Sequence, residues 1–126
     1  MNLDYIDKTN EYGDNLVRLY NFDMAEAIKF RDAIQQTIIV NKKLLPLTTL
    51  DFIQSRNCYL TLRISDEDEG ITTPDKVNFV CDLTLKGYEQ MILLLEPFCK
   101  KETKGYQWLY DIDSQTDFLF SPGGTW

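Results

Sequence analysis

The order of the predicted elements indicates an α+β fold in which a mostly antiparallel sheet carries two amphipathic helices on one face, as a two-layer sandwich. Two segments alternate apolar and polar residues as half-buried strands do, and two others repeat apolar residues at helical spacing. The elements follow one another as strand, helix, several strands, helix and strands, without regular strand–helix alternation. With 126 residues, 44% of them hydrophobic, the chain can form one core without disulfides or metals.

The sequence predicts a single folded domain over residues 16–120. Residues 1–15 are polar and acidic, and we expect them to form a loosely ordered acidic arm. Residues 121–126 include a proline and two glycines, a composition typical of a flexible C-terminal tail.

The first strand and helix are predicted by an apolar run and a capping signal. Residues 16–20 favour a strand, and Asp23 is a good N-cap, with Glu26 three residues later completing a capping box. The helix is expected to run to about Ile38. Because Pro46 cannot donate a ladder hydrogen bond, a strand in this region is predicted either to lie at the edge of the sheet or to begin after the proline.

The two clearest strands lie at residues 58–64 and 77–83, where every second residue is apolar. We expect these strands to pair antiparallel across residues 65–76. Thr84 is a candidate N-cap for a second helix that runs from Leu85 to about Cys99, with Pro97 near its end. Two short strands at residues 106–110 and 118–120 complete the predicted sheet.

Leu93 and Leu94 are the residues of the second helix most suggestive of function, because they fall outside its apolar stripe. One interpretation is a thick core, with another segment lying over the helix. The other is an exposed patch for self-association or for a partner. Tyr59, on the polar side of a strand, and Trp126, at the end of the sequence, are candidate additions to such a patch.

The densest acidic feature comprises Asp66, Glu67, Asp68 and Glu69. Closely spaced carboxylates repel one another and a divalent cation relieves that repulsion, but the sequence lacks the glycine and glutamate that an EF-hand loop requires. We therefore interpret these residues as a solvated loop and as candidate partner contacts. No residue is predicted to bind a metal or a cofactor.

The amino-acid composition gives little support for catalysis. The chain has no histidine, which removes the commonest general acid–base group and metal ligand. Phosphate-binding glycine motifs and CxxC spacings are also missing from the sequence. Paired carboxylates remain the one catalytic option, and Asp82, at the end of a predicted strand, is the single position considered. The sequence therefore leans against an enzyme, and no catalytic residue is assigned.

Charge and cysteine content predict the environment of the chain. A net charge of −7 argues against binding to nucleic acid or to an anionic membrane, and it favours basic partners. The three cysteines are expected to be buried thiols in a reducing compartment. Since no secretory signal is recognised at the N-terminus, a cytoplasmic location is predicted.

The function most favoured by the sequence is that of a non-catalytic protein-interaction module, acting through a protein partner or through self-association as a homodimer. One alternative is an acidic inhibitor or immunity-type protein for a basic enzyme. The other is a small-ligand binder or carboxylate-based enzyme that uses a pocket rich in aromatic residues.

Overall fold

The structure is a computed structural model, and it describes residues 1–7, 15–112 and 114–123. Within these residues, nine strands form one sheet. Their bounds are β1 (Asn2–Ile6), β2 (Asn15–Tyr20), β3 (Leu45–Pro46), β4 (Gln54–Ser55), β5 (Tyr59–Ile64), β6 (Gly70–Thr72), β7 (Asn78–Leu83), β8 (Gln107–Tyr110) and β9 (Thr116–Ser121).

The sheet is mixed and curls into a half-barrel that holds two helices. Its strand order is β3-β5-β7-β6-β9-β2-β1-β4, and β8 pairs with β9 beside this path. The β2–β9 and β5–β7 pairs are parallel, each over six residues, whereas β1–β2, β6–β7 and β8–β9 are antiparallel. The α+β content agrees with the sequence, but the predicted two-layer sandwich with a mostly antiparallel sheet is wrong.

The main error concerns β5 and β7, which pair in parallel, with Leu60 beside Phe79 and Leu62 beside Cys81. The segment between them contains β6, which pairs antiparallel with the other edge of β7. Strand β7 therefore lies between β5 and β6. Alternating apolar residues specify which face of a strand is buried, but they do not specify its direction.

Both predicted helix starts are confirmed. Helix α1 (Met24–Ala33) begins after Asp23, whose side chain accepts a hydrogen bond of 2.9 Å from the Glu26 amide. Helix α2 (Leu85–Lys100) begins after Thr84, whose hydroxyl accepts a bond of 3.0 Å from the Gly87 amide. Helix α1 passes directly into a π-helix over Ile34–Val40, a wider form that is rare in proteins.

The core lies between the helices and one face of the sheet. The Phe120 ring on β9 contacts Phe22 at 4.1 Å, Phe98 at 5.1 Å and Phe30 at 5.9 Å between ring centroids. Because Phe30 belongs to α1 and Phe98 to α2, these contacts hold both helices on the central strands. Strand β3, which contains Pro46, lies at the end of the sheet, which is the first of the two arrangements predicted from its proline.

The two ends of the sequence contribute to the sheet. The arm predicted over residues 1–15 contains β1, which pairs with β2 and β4, and its Leu3 is fully buried. In the predicted tail, Ser121 is buried in β9, and the Pro122 carbonyl accepts a bond of 3.3 Å from the Phe22 amide. None of the helices in the described part of the chain combines the length and apolarity needed to cross a membrane.

Candidate functional site

A groove of ≈ 450 Å³ lies between α2 and strand β8. Its helical wall includes Lys86, Gln90 and Leu94, which are spaced by four residues and therefore form one stripe along the helix. The facing wall consists of residues 108–112, which comprise most of β8 and the two residues after it. Asp68 lines the groove close to the N-terminus of α2.

Asp68 fixes the acidic loop to the start of α2. Its Oδ1 accepts hydrogen bonds from the Thr84 amide at 2.7 Å and from the Thr84 hydroxyl at 2.9 Å. A Cβ atom on Gly87 would lie 2.6 Å from the same oxygen, so the absence of a side chain there permits the approach. A carboxylate in this position also interacts favourably with the positive end of the helix dipole.

Tyr110 fixes the same loop to β8. Its hydroxyl donates a hydrogen bond of 3.1 Å to the Asp68 carbonyl, and its ring packs over Gly70. Gly70 has a φ of +79°, and a Cβ there would lie 2.6 Å from the Tyr110 Cε1 atom. Only glycine combines this backbone conformation with so close a contact. The loop of residues 66–69 is thus attached to both walls of the groove.

The groove has an apolar surface that continues beyond it. Leu94 is half-buried, while Ile112 is 67% exposed and Leu93, the residue before Leu94, is 63% exposed. The Trp108 ring contacts Tyr106 edge-to-face, with 6.2 Å between ring centroids. Strand β8 has a bulge between Trp108 and Tyr110, an irregularity that often occurs beside functional sites.

The charges around the groove are mainly negative. Asp68 and Asp111 lie in its lining, where Lys86 is the positively charged side chain. The loop that contains Asp68 contributes three more exposed acidic residues, which are Asp66, Glu67 and Glu69. The apolar surface is therefore bordered by carboxylates on the side of this loop.

The structure brings together part of the predicted set of contact residues. Leu94 and Asp68 line the groove, whereas Leu93, the preceding residue of α2, lies outside its lining. Tyr59 is 51% exposed, but it lies at the start of β5, outside the groove lining. Trp126 lies outside the described residues. The sequence-based set missed the groove residues Lys86, Gln90, Trp108, Tyr110, Asp111 and Ile112, although the spacing of Lys86, Gln90 and Leu94 was a visible signal.

Asp82, the position considered for catalysis, forms a structural ion pair with Arg63 across β5 and β7. Its two carboxylate oxygens accept hydrogen bonds from Arg63 Nε at 2.8 Å and Nη2 at 2.7 Å, which is a bidentate geometry. The hydrogen bonds with Asp82 raise the pKa of Arg63. Both carboxylate oxygens of Asp82 are thus bound by Arg63, and the residue is buried between the strands.

The three cysteines are buried and are not joined in disulfides. Burial raises the pKa of Cys58 and of Cys81 to about 12 in each case, so both thiols are protonated at neutral pH. Neither has the thiolate character of a nucleophile. The prediction of small buried thiols is confirmed.

Neither clusters of metal-ligating side chains nor similarity to known proteins indicates a further site in the described residues. Among residues 1–7, 15–112 and 114–123, no three acidic or cysteine side chains are grouped where they could hold one metal ion. Comparisons with protein-family models, with curated proteins and with solved structures find no match to this chain.

Proposed function

We propose that this chain is a cytoplasmic protein-binding module that takes an apolar, basic segment of a partner protein into the groove between α2 and β8. The observation that carries the proposal is an apolar groove, supplied by two different elements, with carboxylates in its lining and along one border. A hydrophobic centre with a polar rim is the usual anatomy of a protein interface.

The exposure of Leu93 and Ile112 supports a macromolecular partner over a small ligand. Small-molecule sites enclose most of the ligand surface, whereas Ile112, in the groove lining, is 67% exposed and Leu93, the residue before the groove residue Leu94, is 63% exposed. A partner that extends beyond the groove would cover both residues. Burial of such adjoining apolar groups stabilises a complex by about 25 cal/mol per Å² removed from water, before the costs of association.

Charge complementarity supports a basic partner over a second copy of the chain. Two copies would bring together molecules that each carry a net charge of −7. A partner with lysine or arginine beside its apolar residues would instead be attracted by the carboxylates of Asp68 and Asp111. An inhibitor or immunity-type protein for a basic enzyme is the special case in which that enzyme supplies the segment.

The state of the cysteines supports a reducing compartment. Three buried thiols without a disulfide are typical of proteins from the cytosol, where thiols are kept reduced. The proposed module therefore meets its partner in the cytoplasm.

A selection experiment tests the proposed function. A display library of random linear peptides is selected against the immobilised protein, and enriched peptides are measured by fluorescence anisotropy. We expect peptides that combine Lys or Arg with Leu, Ile or Phe, and we expect their affinity to fall as salt is raised. Enrichment of acidic peptides, or of no peptide that depends on the groove, would refute the proposal.

A matched pair of variants identifies the surface that binds. Ile112→Lys places a positive charge in the groove, whereas Val40→Lys changes an apolar residue that is 55% exposed and lies outside the groove lining. We expect Ile112→Lys to weaken peptide binding about tenfold or more and Val40→Lys to leave the affinity unchanged. Sedimentation at two protein concentrations tests whether a second copy of the chain occupies the groove instead. Dimerisation that Ile112→Lys abolishes would favour a second copy over a basic partner.

A further inference from the structure

Strand β8 runs in the opposite direction to α2. At its first residue, Gln107 is paired with Phe120, whose ring centroid lies 5.1 Å from that of Phe98 near the C-terminal end of α2. At its last residue, the Tyr110 hydroxyl donates to the carbonyl of Asp68, and the Asp68 carboxylate is bound at the N-terminus of α2. The end of β8 and the residues after it therefore lie beside the start of the helix, and the start of β8 lies towards the end of the helix.

The end of the groove at the N-terminus of α2, called the acidic end, contains Asp68, Lys86, Asp111 and Ile112. Two carboxylates and one ammonium group leave one net negative charge in this part of the lining. The three acidic neighbours of Asp68, which are exposed, add to it. Ile112 supplies an exposed apolar surface beside Asp111, on which the methylene groups of a partner lysine or arginine can pack. The acidic end therefore suits a long basic side chain.

The opposite end of the groove, called the apolar end, is formed by Leu94 of α2 and Trp108 of β8. Gln90, which lies between the two ends on the helical stripe, is polar and uncharged. Lys100 and Lys101 are exposed where α2 ends, beyond Leu94. Because like charges repel, these cations disfavour a basic group at the apolar end. Charge and apolarity are thus distributed unequally along the groove.

The two ends are far enough apart to contact different groups of a partner. Lys86 and Leu94 are eight positions apart on α2, which at 1.5 Å per residue amounts to about 12 Å. Building on the proposed function, we propose that the groove binds a two-part segment, with a lysine or arginine at the acidic end and a large apolar side chain at the apolar end. Those two partner residues are then about four positions apart if the segment is extended, and about eight if it is helical.

Double-mutant cycles with a peptide from the selection described above test this arrangement. The basic and the apolar residue of the peptide are each replaced by alanine, and affinities are measured by fluorescence anisotropy. Residues separated by more than about 7–10 Å have independent effects, whereas residues in contact do not. We expect loss of the basic residue to cost about threefold less affinity in Asp111→Asn than in the unchanged protein, and to cost the same in Leu94→Ala. The apolar residue should show the reverse dependence.

Asp51→Asn is the matched control for Asp111→Asn. Asp51 is exposed and lies outside the groove lining, so this variant changes the net charge equally without altering the groove. We expect the cost of losing either peptide residue to be the same in Asp51→Asn as in the unchanged protein.

A rearranged peptide tests the spacing without changing the protein. It has the same composition, but its basic residue directly adjoins its apolar residue. We expect about tenfold weaker binding, because one lysine side chain is too short to span about 12 Å while its neighbour stays at the apolar end. Unchanged affinity would overturn the two-part arrangement.

The outcomes separate this inference from the proposed function. If selected peptides depend on Ile112 but their basic residue shows no coupling to Asp111, or is coupled to Leu94 instead, the two-part arrangement is wrong and the proposed function stands. If no selected peptide depends on Ile112, both proposals fail together.

Discussion

Leu93, Leu94 and Leu95 are consecutive leucines of α2 in three different environments. Leu93 is 63% exposed, Leu94 is half-buried in the groove wall, and Leu95 is completely buried. Successive residues of an α-helix differ by about 100° in direction, so three neighbours reach from the core to the solvent. The comparison between the inner and outer sides of α2 therefore separates residues that stabilise the fold from those available to a partner.

The inner side of α2 is fixed by both apolar and polar contacts. Tyr88, Met91 and Leu95 are fully buried against the sheet. The Tyr88 hydroxyl lies 2.6 Å from the Cys81 carbonyl oxygen and 2.8 Å from that of Arg63, and it shares its hydrogen between them. It thereby joins the helix to β5 and β7. The outer side has an exposed leucine instead, which adds little to the stability of the isolated protein.

The largest expected difference is between Leu95→Ala and Leu93→Ala. Truncation of a fully buried leucine removes apolar contacts and leaves a cavity, so Leu95→Ala should lower the free energy of unfolding by about 2–5 kcal/mol. Leu93→Ala should change it by no more than about 0.5 kcal/mol, because the side chain is largely in water already. Denaturant titrations measure both values.

Leu94→Ala tests this prediction more closely. Because Leu94 is half-buried, its truncation should lower the free energy of unfolding by an amount between those for Leu95→Ala and Leu93→Ala. The order Leu95, Leu94, Leu93 is the expected ranking of the three losses. A loss for Leu93→Ala equal to that for Leu95→Ala would show that the outer side of α2 is covered in the folded chain. The proposed binding surface would then be abandoned.

A smaller loss of stability than for Leu95→Ala is expected for Tyr88→Phe, which keeps the ring and deletes the hydroxyl. The buried Cys81 carbonyl and the partly buried Arg63 carbonyl would lose their shared donor, at a cost of about 1–3 kcal/mol in the free energy of unfolding. Burial of Tyr88 also raises its pKa well above the usual value, so the hydroxyl keeps its hydrogen throughout the neutral range. Tyr59→Phe is the matched control, because that residue is 51% exposed. Equal stabilities for the two variants would contradict the assigned contact.

The elements that could be predicted from the sequence are those specified by local patterns. The N-caps Asp23 and Thr84 were recognisable because the side chain and the amide that it accepts from are three residues apart. Strand β1 was not recognisable. Its Asp4 disfavours a strand by itself, but in the fold it accepts bonds of 2.8 and 3.1 Å from Arg18 on β2. A partner fourteen residues away is invisible to local patterns.

The candidate site was also predictable only in part, because only some of its residues are marked by a local pattern. Leu94 is distinguished within its own helix by its position outside the apolar stripe, and Asp68 is distinguished by its acidic neighbours. Trp108 lies in β8 and Ile112 lies two residues after it, and the position of this strand beside α2 depends on the curvature of the whole sheet. Only the fold brings these four residues to one groove. The direction of β7 was missed in the same way, because it depends on the path of the chain through β6.

A net effect on stability smaller than that of Tyr88→Phe is expected for Gly87→Ala, at the junction between the inner and outer sides of α2. Alanine favours a helix over glycine by about 0.5–1 kcal/mol, but its Cβ would lie 2.6 Å from Asp68 Oδ1. Since that oxygen ends a movable side chain, the collision should displace Asp68 from Thr84. We expect the two effects to cancel to within about 1 kcal/mol, while hydrogen exchange of the Thr84 amide becomes faster.

Gly105→Ala is the control for this prediction, because a Cβ there would have no neighbour within 4 Å. That variant should leave the exchange of the Thr84 amide unchanged. If Gly87→Ala also leaves it unchanged, Asp68 does not hold the loop against the helix. If exchange becomes faster while selected peptides bind as before, the loop borders the groove without shaping it. Faster exchange together with weaker peptide binding would show that the attachment of the acidic loop to α2 helps to form the binding surface.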